Sequence, residues 1–442
     1  MSAPRFRLPR PLAFLFWKNP IIFFLIKWLL ISALIGILVG SASALFLVSL
    51  DWATSWRESY PWVIWLLPVA GFAIGCLYYY LGKDVERGNN LLLENIHHPS
   101  KIIPLKMAPL VLIGTIATHL FGGSAGREGT ALQIGGSISD QFTRILRLRP
   151  RDRKLILIAG IAAGFGSVFG TPLAGAIFGL EVFLLGRLQY DALLPAFAAS
   201  VFADLTTKAW QVGHTHYHIP YIPELSAANV LYAVIAGAIF GMCAVVFSGL
   251  THSVGSFLKG KIAYPPLRPV AGGIIVAIAV FGLGTTKYIG LGIPTIVASF
   301  NEKLPAYDFV LKILFTAVTL GAAFKGGEVT PLFFIGAALG NALSYFVPLP
   351  VGLLAGMGFV AVFAGAANTP LACTIMAIEL FGVDCGVYAA IACVIAYFFS
   401  GHRGIYGAQV IGQSKHMVYR QHEGESVSNL QTNPKKLAHE KR

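Results

Sequence analysis

Glu128 is the residue whose type and surroundings most clearly indicate chemistry. It lies in a Gly-Arg-Glu-Gly-Thr segment, residues 126–130, with more glycines on both sides and an apolar, helix-like run after it. Glycine-rich backbone at a helix start leaves N–H groups free to bind an anion. A carboxylate there can compete with the anion for these donors and can take up a proton. The segment therefore predicts anion movement coupled to H⁺, and a purely structural Arg127–Glu128 pair, with Arg127 reaching the membrane interface, is the alternative.

A second carboxylate, Glu328, has a similar context. It is preceded by Lys325 and two glycines and followed by Val, Thr330 and Pro331. Pro331 suits the first turn of a helix, and the Thr330 hydroxyl can cap that helix or donate a hydrogen bond to an anion. For Glu328, an ion pair with Lys325 is as good an interpretation as a role in transport.

Three weaker polar motifs complete the candidates. Gly88-Asn89-Asn90 is a turn and helix-cap signal. Tyr406, in a glycine-flanked break after an apolar run, has a phenolic O–H that can donate to an anion, although a tyrosine at the membrane interface explains it equally well. The alternating histidines 214, 216 and 218 could bind a metal on a strand, but they lie in a Pro-containing connector, so an exposed loop is the preferred interpretation.

The composition sets the membrane context. Of the 442 residues, 56% are hydrophobic and 12% are charged, and the mean hydropathy is +0.70. Soluble globular domains carry about 25% charged residues, so a soluble enzyme is excluded, and a polytopic α-helical membrane protein remains. The long apolar runs are 21–50, 61–82, 103–122, 154–186, 191–210, 226–257, 266–287, 307–324, 331–347, 350–381 and 385–400. Several are long enough to be either one tilted helix or two helices joined within the membrane.

The net charge of +13 is concentrated outside these runs. Basic residues cluster before residue 28, in the segment 144–154 and in the C-terminal tail. Cytoplasmic loops are enriched in Lys and Arg, so the segment 144–154 and both termini are expected in the cytoplasm. Nucleic-acid binding is the weaker interpretation, because no soluble domain carries the charge.

The sequence is also duplicated. The segment around Glu128 recurs 200 residues later around Glu328, and the Thr-Pro-Leu-Ala at 171–174 recurs at 369–372. A glutamate, Glu181 or Glu379, follows each Thr by ten residues and is expected to pair at a helix end. Duplicated halves with interrupted spans are typical of transporters whose site lies at the repeat interface. The predicted organisation is an N-terminal cytoplasmic segment (1–20), a first membrane repeat (21–210), a connector (211–225), a second repeat (226–410) and a short cytoplasmic tail (411–442).

With these motifs in order, the chain resembles the CLC family of anion channels and anion/proton antiporters from about residue 20 to residue 410. The segment 126–130 looks like the family's Gly-Lys/Arg-Glu-Gly-Pro motif and places Glu128 at the external gating glutamate. The resemblance implies an all-α polytopic membrane protein of two inverted helical repeats, with broken helices meeting at a central anion site. It also implies a homodimer in the cell membrane.

Departures from the chloride-transporting members resemble the fluoride-exporting branch of the family. Asn89 stands at the position of a Ser, Val329 at that of a Phe, Thr130 at that of a Pro and Val182 at that of an internal proton glutamate. Fluoride is strongly hydrated, so its site must offer strong donors, which Asn, Thr and Tyr side chains supply. The expected function is therefore fluoride/proton antiport, with a chloride/proton antiporter or a voltage-gated-type chloride channel of the same fold as the alternative.

The resemblance assigns roles to single residues. Glu128 is expected to be the gate and proton carrier, and Glu328 a second transport carboxylate. A membrane-embedded enzyme built on Arg127 and Glu128 is the weakest alternative, and neither a cofactor nor a metal is expected beyond the transported F⁻ or Cl⁻ and H⁺. The expected anion-binding residues are Asn89, Asn90, Gly126, Arg127, Gly129, Thr130, Val329, Thr330 and Tyr406.

Overall fold

The computed structural model describes residues 19–99 and 101–432, and this part of the chain is mainly helical. Nearly all of the predicted N-terminal segment, and the last ten residues of the tail, lie outside the described residues. The helices of the first half are α1 (Pro20–Ser59), α2 (Leu67–Leu81), α3 (Asn89–His97), α4 (Met107–Leu120), α5 (Glu128–Ile145), α6 (Pro150–Phe169), α7 (Pro172–Glu181) and α8 (Leu193–Ala209).

The second half repeats this order of long and short helices. A short helix, α17 (Val427–Thr432), follows, and short 3-10 turns lie at Pro61–Leu66, Tyr190–Ala192, Val383–Cys385 and Met417–His422. The second-half helices are α9 (Ala227–Lys261), α10 (Leu267–Leu283), α11 (Ile293–Ala298), α12 (Asp308–Gly321), α13 (Val329–Leu343), α14 (Val351–Ala367), α15 (Pro370–Phe381) and α16 (Gly386–Phe399).

Two of the long apolar runs are broken helices, for a local reason. The run 154–186 breaks at Gly170, which ends α6 with φ +70° and is followed by Thr and the Pro172 that begins α7. The run 350–381 breaks in the same way at Asn368, with φ +58°, before Pro370. A left-handed residue ends a helix, and a proline at the first position begins the next one. The run 21–50, by contrast, lies within a single helix of 40 residues, and the run 226–257, after its N-cap Ser226, lies within a single helix of 35 residues.

The two halves pack with reciprocal contacts. Helix α2 packs against its counterpart α10, and α7 against its counterpart α15. The Glu379 carboxylate accepts hydrogen bonds from the backbone N–H groups of Leu173 (3.0 Å) and Ala174 (2.8 Å) at the start of α7. The Glu181 carboxylate does the same for residues 371 and 372 of α15, at 3.2 and 2.9 Å. This exchange is that of repeats related by a pseudo-two-fold axis, and it confirms the helix-end pairing predicted for both glutamates.

Glycines allow the central helices to approach closely at equivalent places in both halves. A Cβ added to Gly135 of α5 would lie 2.1 Å from the carbonyl oxygen of Gly160 in α6. A Cβ added to Gly336 of α13 would lie 2.0 Å from the carbonyl oxygen of Gly358 in α14. Small residues at such contacts are typical of helix packing in membranes.

The periphery carries the apolar surface expected of a protein in a bilayer. Three helical stretches, Pro20–Ser59, Pro61–Leu81 and Ala227–Lys261, are long and apolar enough to cross a membrane by length and composition. Large apolar side chains such as Leu30 (65% exposed) and Phe281 (75% exposed) face outward from α1 and α10. An exposed apolar surface of this extent is suited to lipid rather than water.

A two-stranded parallel sheet, which the sequence did not predict, ties the chain after α16 to the first half. Strand β1 (Leu184–Leu185) pairs with β2 (Val410–Ile411). Beside it, the buried amide of Gln409 donates to the carbonyl oxygens of Val182 (2.6 Å) and Ala367 (2.7 Å). These contacts fix the segment that carries Tyr406.

Candidate ion-coupling site

The Glu128 side chain reaches from the first repeat to the second. Glu128 is the first residue of α5, and none of its surface is exposed. One carboxylate oxygen accepts a hydrogen bond from the backbone N–H of Thr330 at 3.0 Å, and the other accepts one from the Thr330 hydroxyl. The backbone N–H of Arg127 also donates to the first of these oxygens, at 3.1 Å. The carboxylate therefore occupies the N-terminus of α13, where an anion would find free donors.

Glycines bring the two loops together at this point. The backbone N–H of Gly126 donates to the Gly327 carbonyl at 2.6 Å, and that of Gly327 donates to the Gly126 carbonyl at 2.8 Å. A Cβ on Gly129 would lie 3.0 Å from the Gly327 Cα, and one on Gly126 would lie 2.8 Å from a Glu128 carboxylate oxygen. Larger residues at these positions would separate the repeats and displace Glu128.

Arg127 is a weak partner for Glu128. Its Nε lies 3.7 Å from the nearer Glu128 oxygen, and this nitrogen makes no hydrogen bond to any described residue. The guanidinium is only 12% exposed and so does not extend to an interface. Since Thr330 holds the carboxylate more closely, a simple Arg127–Glu128 ion pair does not account for this site.

The start of α13 differs in detail from the sequence interpretation. The N-cap residue is Glu328, so the alternative interpretation of Thr330 as a plain N-cap is wrong, while Pro331 does lie in the first turn. No ion pair joins Lys325 to Glu328 in the described part of the chain, because the Lys325 ammonium lies over the Tyr78 ring, 3.8 Å from its centroid. One Glu328 carboxylate oxygen is buried and has no hydrogen-bond partner among residues 19–99 and 101–432.

The adjacent asparagines at the start of α3 have different surroundings. The Asn90 side-chain oxygen accepts a hydrogen bond from the backbone N–H of Ala408 at 2.9 Å, so Asn90 holds the segment carrying Tyr406. Asn89 and Tyr406 instead line one small cavity of about 10 Å³. The Asn89 side-chain oxygen and the Tyr406 hydroxyl are both buried and have no hydrogen-bond partner among the described residues.

Two further predicted residues are engaged in packing. The Thr130 hydroxyl shares a 2.6 Å hydrogen bond with the Thr115 hydroxyl of α4, and the Val329 side chain is fully buried in the core. The structure thus brings Glu128 and Thr330 into contact and Asn89 and Tyr406 into one cavity. The Asn90 side-chain oxygen and the Thr130 hydroxyl are instead engaged with Ala408 and Thr115.

The free polar atoms indicate what this region can bind. Tyr406 lies within electrostatic range of both Glu128 and Glu328. Buried polar atoms without a partner are rare in native structures and mark places where an ion or water binds. A carboxylate that can be protonated, near an uncommitted hydroxyl such as that of Tyr406, can exchange places with a small anion.

The histidine prediction is partly wrong. His216 and His218 are exposed in the connector as predicted, but the His214 ring nitrogens are buried. The described residues contain no group of three or more His, Cys, Asp or Glu side chains placed to hold a metal ion. Sequence reasoning also missed Gln409, since a buried glutamine that bonds two carbonyl groups leaves no pattern in the sequence.

Comparisons with known proteins agree with the fold and the motifs. The family model described as voltage gated chloride channel matches residues 70–401. A chloride/fluoride channel protein of Pseudomonas syringae pv. tomato is 57% identical over 399 residues, which are 89% of this chain and 88% of that protein.

Two solved structures are also similar. The crystal structure of a CLC-type fluoride/proton antiporter has a TM-score of 0.85 and 35% identity, covering 88% of this chain and 98% of that one. The structure of a slow cyanobacterial Cl⁻/H⁺ antiporter, with a TM-score of 0.75 and 17% identity over 94% of this chain and 99% of that one, shares the fold.

Proposed function

Because the chain belongs to the voltage gated chloride channel family, the CLC family, we propose that it is an antiporter that exports fluoride in exchange for protons. It is accordingly a transporter or channel rather than an enzyme. The observation that carries the proposal is the Glu128 carboxylate bound at the N-terminus of α13 by the Thr330 N–H and hydroxyl. The names of its relatives, a chloride/fluoride channel protein and a fluoride/proton antiporter, support the choice of ions.

The exchange follows from competition for shared donors. The ionised Glu128 carboxylate occupies the donors of α13, and protonation weakens its hydrogen bonds with them because a neutral carboxyl is a poorer acceptor. The carboxyl then leaves, and an anion takes its place on the Thr330 N–H and hydroxyl. Loss of the proton returns the carboxylate and expels the anion. A fluoride ion that leaves takes negative charge out, and a proton that enters brings positive charge in. An inside-negative membrane potential therefore drives both movements.

The donors suit fluoride. Stripping water from a small, strongly hydrated anion is costly unless strong donors replace it. The Asn89 amide, the Thr330 hydroxyl and the Tyr406 hydroxyl are the side chains assigned to this task, with the backbone of Gly126, Arg127, Gly129 and Val329 around them. Asn90 and Thr130 support them through the hydrogen bonds to Ala408 and Thr115, and Glu328 is the second transport carboxylate.

The charge distribution supports an orientation in the cell membrane. Lys27 near the start of α1 pairs with Asp152 at 2.9 Å, beside the exposed basic residues that join α5 to α6. Basic segments remain in the cytoplasm, so this end is cytoplasmic. Near the opposite end of α1, Arg57 donates to the His119 carbonyl at 2.8 Å, next to the glycine-rich loop of Glu128. Glu128 thus lies on the external side of the pathway, and both chain termini are assigned to the cytoplasm.

The assembly is proposed to be a homodimer. Leu173 at the start of α7 and Leu371 at the start of α15 are 46% and 47% exposed, and these two helices pack against each other across the repeats. An apolar surface that is itself two-fold symmetric suits contact with a second copy.

Ion flux from proteoliposomes tests the function directly. With an inward proton gradient, fluoride efflux should exceed chloride efflux by roughly tenfold or more, because one hydrogen bond to a charged partner contributes about 1.5–3 kcal/mol. Each fluoride release should be accompanied by proton uptake, measured with a fluoride electrode and an internal pH dye. Strong proton-coupled chloride flux with little fluoride flux would instead establish the chloride/proton antiporter, and chloride flux without protons a channel.

Substituting two buried tyrosines separates binding from folding. Tyr406→Phe removes a hydroxyl that bonds to no described residue, so the unfolding temperature should hardly change while the KM for fluoride rises roughly tenfold. Tyr388→Phe removes a hydroxyl that donates to the carbonyl oxygens of Pro223 (3.2 Å) and Glu224 (3.0 Å). This control should lower the unfolding temperature and leave the KM unchanged. An unchanged KM in Tyr406→Phe would remove Tyr406 from the anion site.

A further inference from the structure

The connector between the repeats is fixed against the second repeat. The Tyr217 ring packs among Phe300, Phe359 and Phe381, with ring centroids 5.6, 5.2 and 6.0 Å away. Ile219 is only 6% exposed. The connector therefore presents its side chains in defined directions, on the side of the protein where Glu128 lies.

Only one of its three histidines is turned inward. His214 lies against Gly170 at the end of α6, where an added Cβ would be 2.5 Å from the His214 ring and where φ is +70°. Both ring nitrogens of His214 are buried and have no partner at full hydrogen-bond geometry within the part of the chain that the structure describes, although the backbone of Val168 lies within interaction range of the ring. His216 and His218 are exposed on the same connector. An imidazole buried with both nitrogens uncommitted is suited to exchanging protons.

The charged groups that face His214 connect it to the gate. Arg127 from the loop before α5, and Asp204 and Lys208 from α8, lie within electrostatic range of the ring. Asp204 and Lys208 pair with each other at 2.7 Å, and Arg127, the neighbour of Glu128, is the charge that acts most strongly on His214. Tyr217, three residues further along the connector, is within range of both Arg127 and Glu128.

The ring is neutral at physiological pH. Burial, and secondarily the positive charge of Arg127, lower the pKa of His214 to about 4. A neutral imidazole has one nitrogen that accepts a proton and one that donates. Its low basicity makes the protonated form short-lived, so a proton taken up on one side is readily released on the other.

We propose that His214 is the external proton-relay residue of the exchanger, positioned by the connector between outside water and Glu128. One ring nitrogen takes a proton that reaches it, through water, from the external side. The other releases its proton toward the Glu128 carboxylate, through water, and exchange of the two ring tautomers returns the starting state. No other reactant is consumed. This role rests on the proposed fluoride/proton antiport and explains how a fully buried carboxyl receives its proton.

The test compares His214→Gln and His214→Ala with the matched control His216→Gln, all reconstituted as the full chain. At neutral external pH both His214 variants should lose fluoride efflux and proton uptake together, by roughly a hundredfold, the low end of what a positioned proton-transfer group contributes. The ratio of fluoride to proton should be unchanged, because Glu128 still couples them. Acidifying the outside, or adding imidazole to the external buffer with His214→Ala, should restore much of the rate. His216→Gln should behave as the wild type.

Each other outcome is informative. Wild-type rates in both His214 variants would overturn the relay while leaving the antiport intact. Slow transport that neither external acid nor imidazole restores would also overturn it, since such a result indicates a packing role against Gly170. If His214→Ala does not fold, the test of the relay is whether external acid restores the transport rate of His214→Gln. A wild-type protein without coupled fluoride and proton flux would refute the proposed function itself.

Discussion

Replacing Glu128 by Gln should abolish proton transport while leaving fluoride able to move. The amide has nearly the shape of the carboxyl, but it cannot gain or lose a proton, so the side chain that occupies the donors of α13 can no longer carry one. Fluoride efflux should then follow the membrane potential alone, and proton uptake should fall to the level of empty liposomes. The measurement is proton movement against its gradient, driven by a fluoride gradient, in a voltage-clamped liposome assay.

Glu379→Gln is the matched control for this substitution. Glu379 also binds two backbone N–H groups across the repeat interface, at 3.0 and 2.8 Å, but it does so at the start of α7, away from the α13 donors. Its replacement should reduce thermal stability and leave the ratio of fluoride to proton unchanged. Coupled proton transport that survives in Glu128→Gln would show that another group carries the proton, and Glu328 would be the next to test.

Local sequence signals were sufficient for much of the fold. Gly170 and Asn368, each followed by Thr and Pro, mark helix breaks because the left-handed conformation and proline act on a few neighbouring residues. The duplicated motifs correctly indicated two halves with the same series of helices. The resemblance to the CLC family, based on those motifs, is confirmed by the family match over residues 70–401.

Details of the site depend on contacts that no local signal encodes. Asn89 and Asn90 are adjacent residues of the same type whose side chains point in different directions from α3. Asn90 contacts Ala408, whereas the Asn89 side-chain oxygen has no partner among the described residues. The sequence predicts a donor at Thr330, but its acceptor, Glu128, lies 202 residues away in the chain. Such a pair is set by how the two repeats pack, so sequence periodicity could not supply it.

Short or irregular elements were likewise beyond sequence reasoning. Two-residue strands such as β1 and β2 are too short to show alternation. The histidines of the connector alternate in the sequence, yet their exposure depends on the aromatic cluster around Tyr217 and on the missing side chain of Gly170. The basic composition of the segment 144–154 predicts a cytoplasmic loop, but its last residues belong to α6 and include the buried Arg153.

Arg153 is the centre of a buried polar network near the predicted cytoplasmic end. It is 4% exposed, and its guanidinium donates to both oxygens of the Asp140 carboxylate, at 2.8 Å each. It also donates to the Asn95 side-chain oxygen of α3 at 3.1 Å and to the Lys101 carbonyl at 2.9 Å. Asp140 itself is fully buried and accepts the backbone N–H of Ile103 at 2.8 Å. The network therefore holds α3, which begins with Asn89, against α5 and α6.

Arg153→Met should lower the free energy of unfolding by about 3–5 kcal/mol, because removing one partner leaves the Asp140 charge buried without compensation. Lys27→Met is the matched control, since Lys27 pairs with the adjacent Asp152 at 2.9 Å but both side chains are about 30% exposed. Loss of the Lys27–Asp152 pair should lower the free energy of unfolding by no more than about 1 kcal/mol. Unfolding in detergent, followed by temperature or denaturant, measures both. Equal stability of the two variants would mean that Asp140 is neutral or hydrated in the native protein. Where Arg153→Met remains folded, a raised KM for fluoride is expected as well, because α3 would no longer hold Asn89 in place.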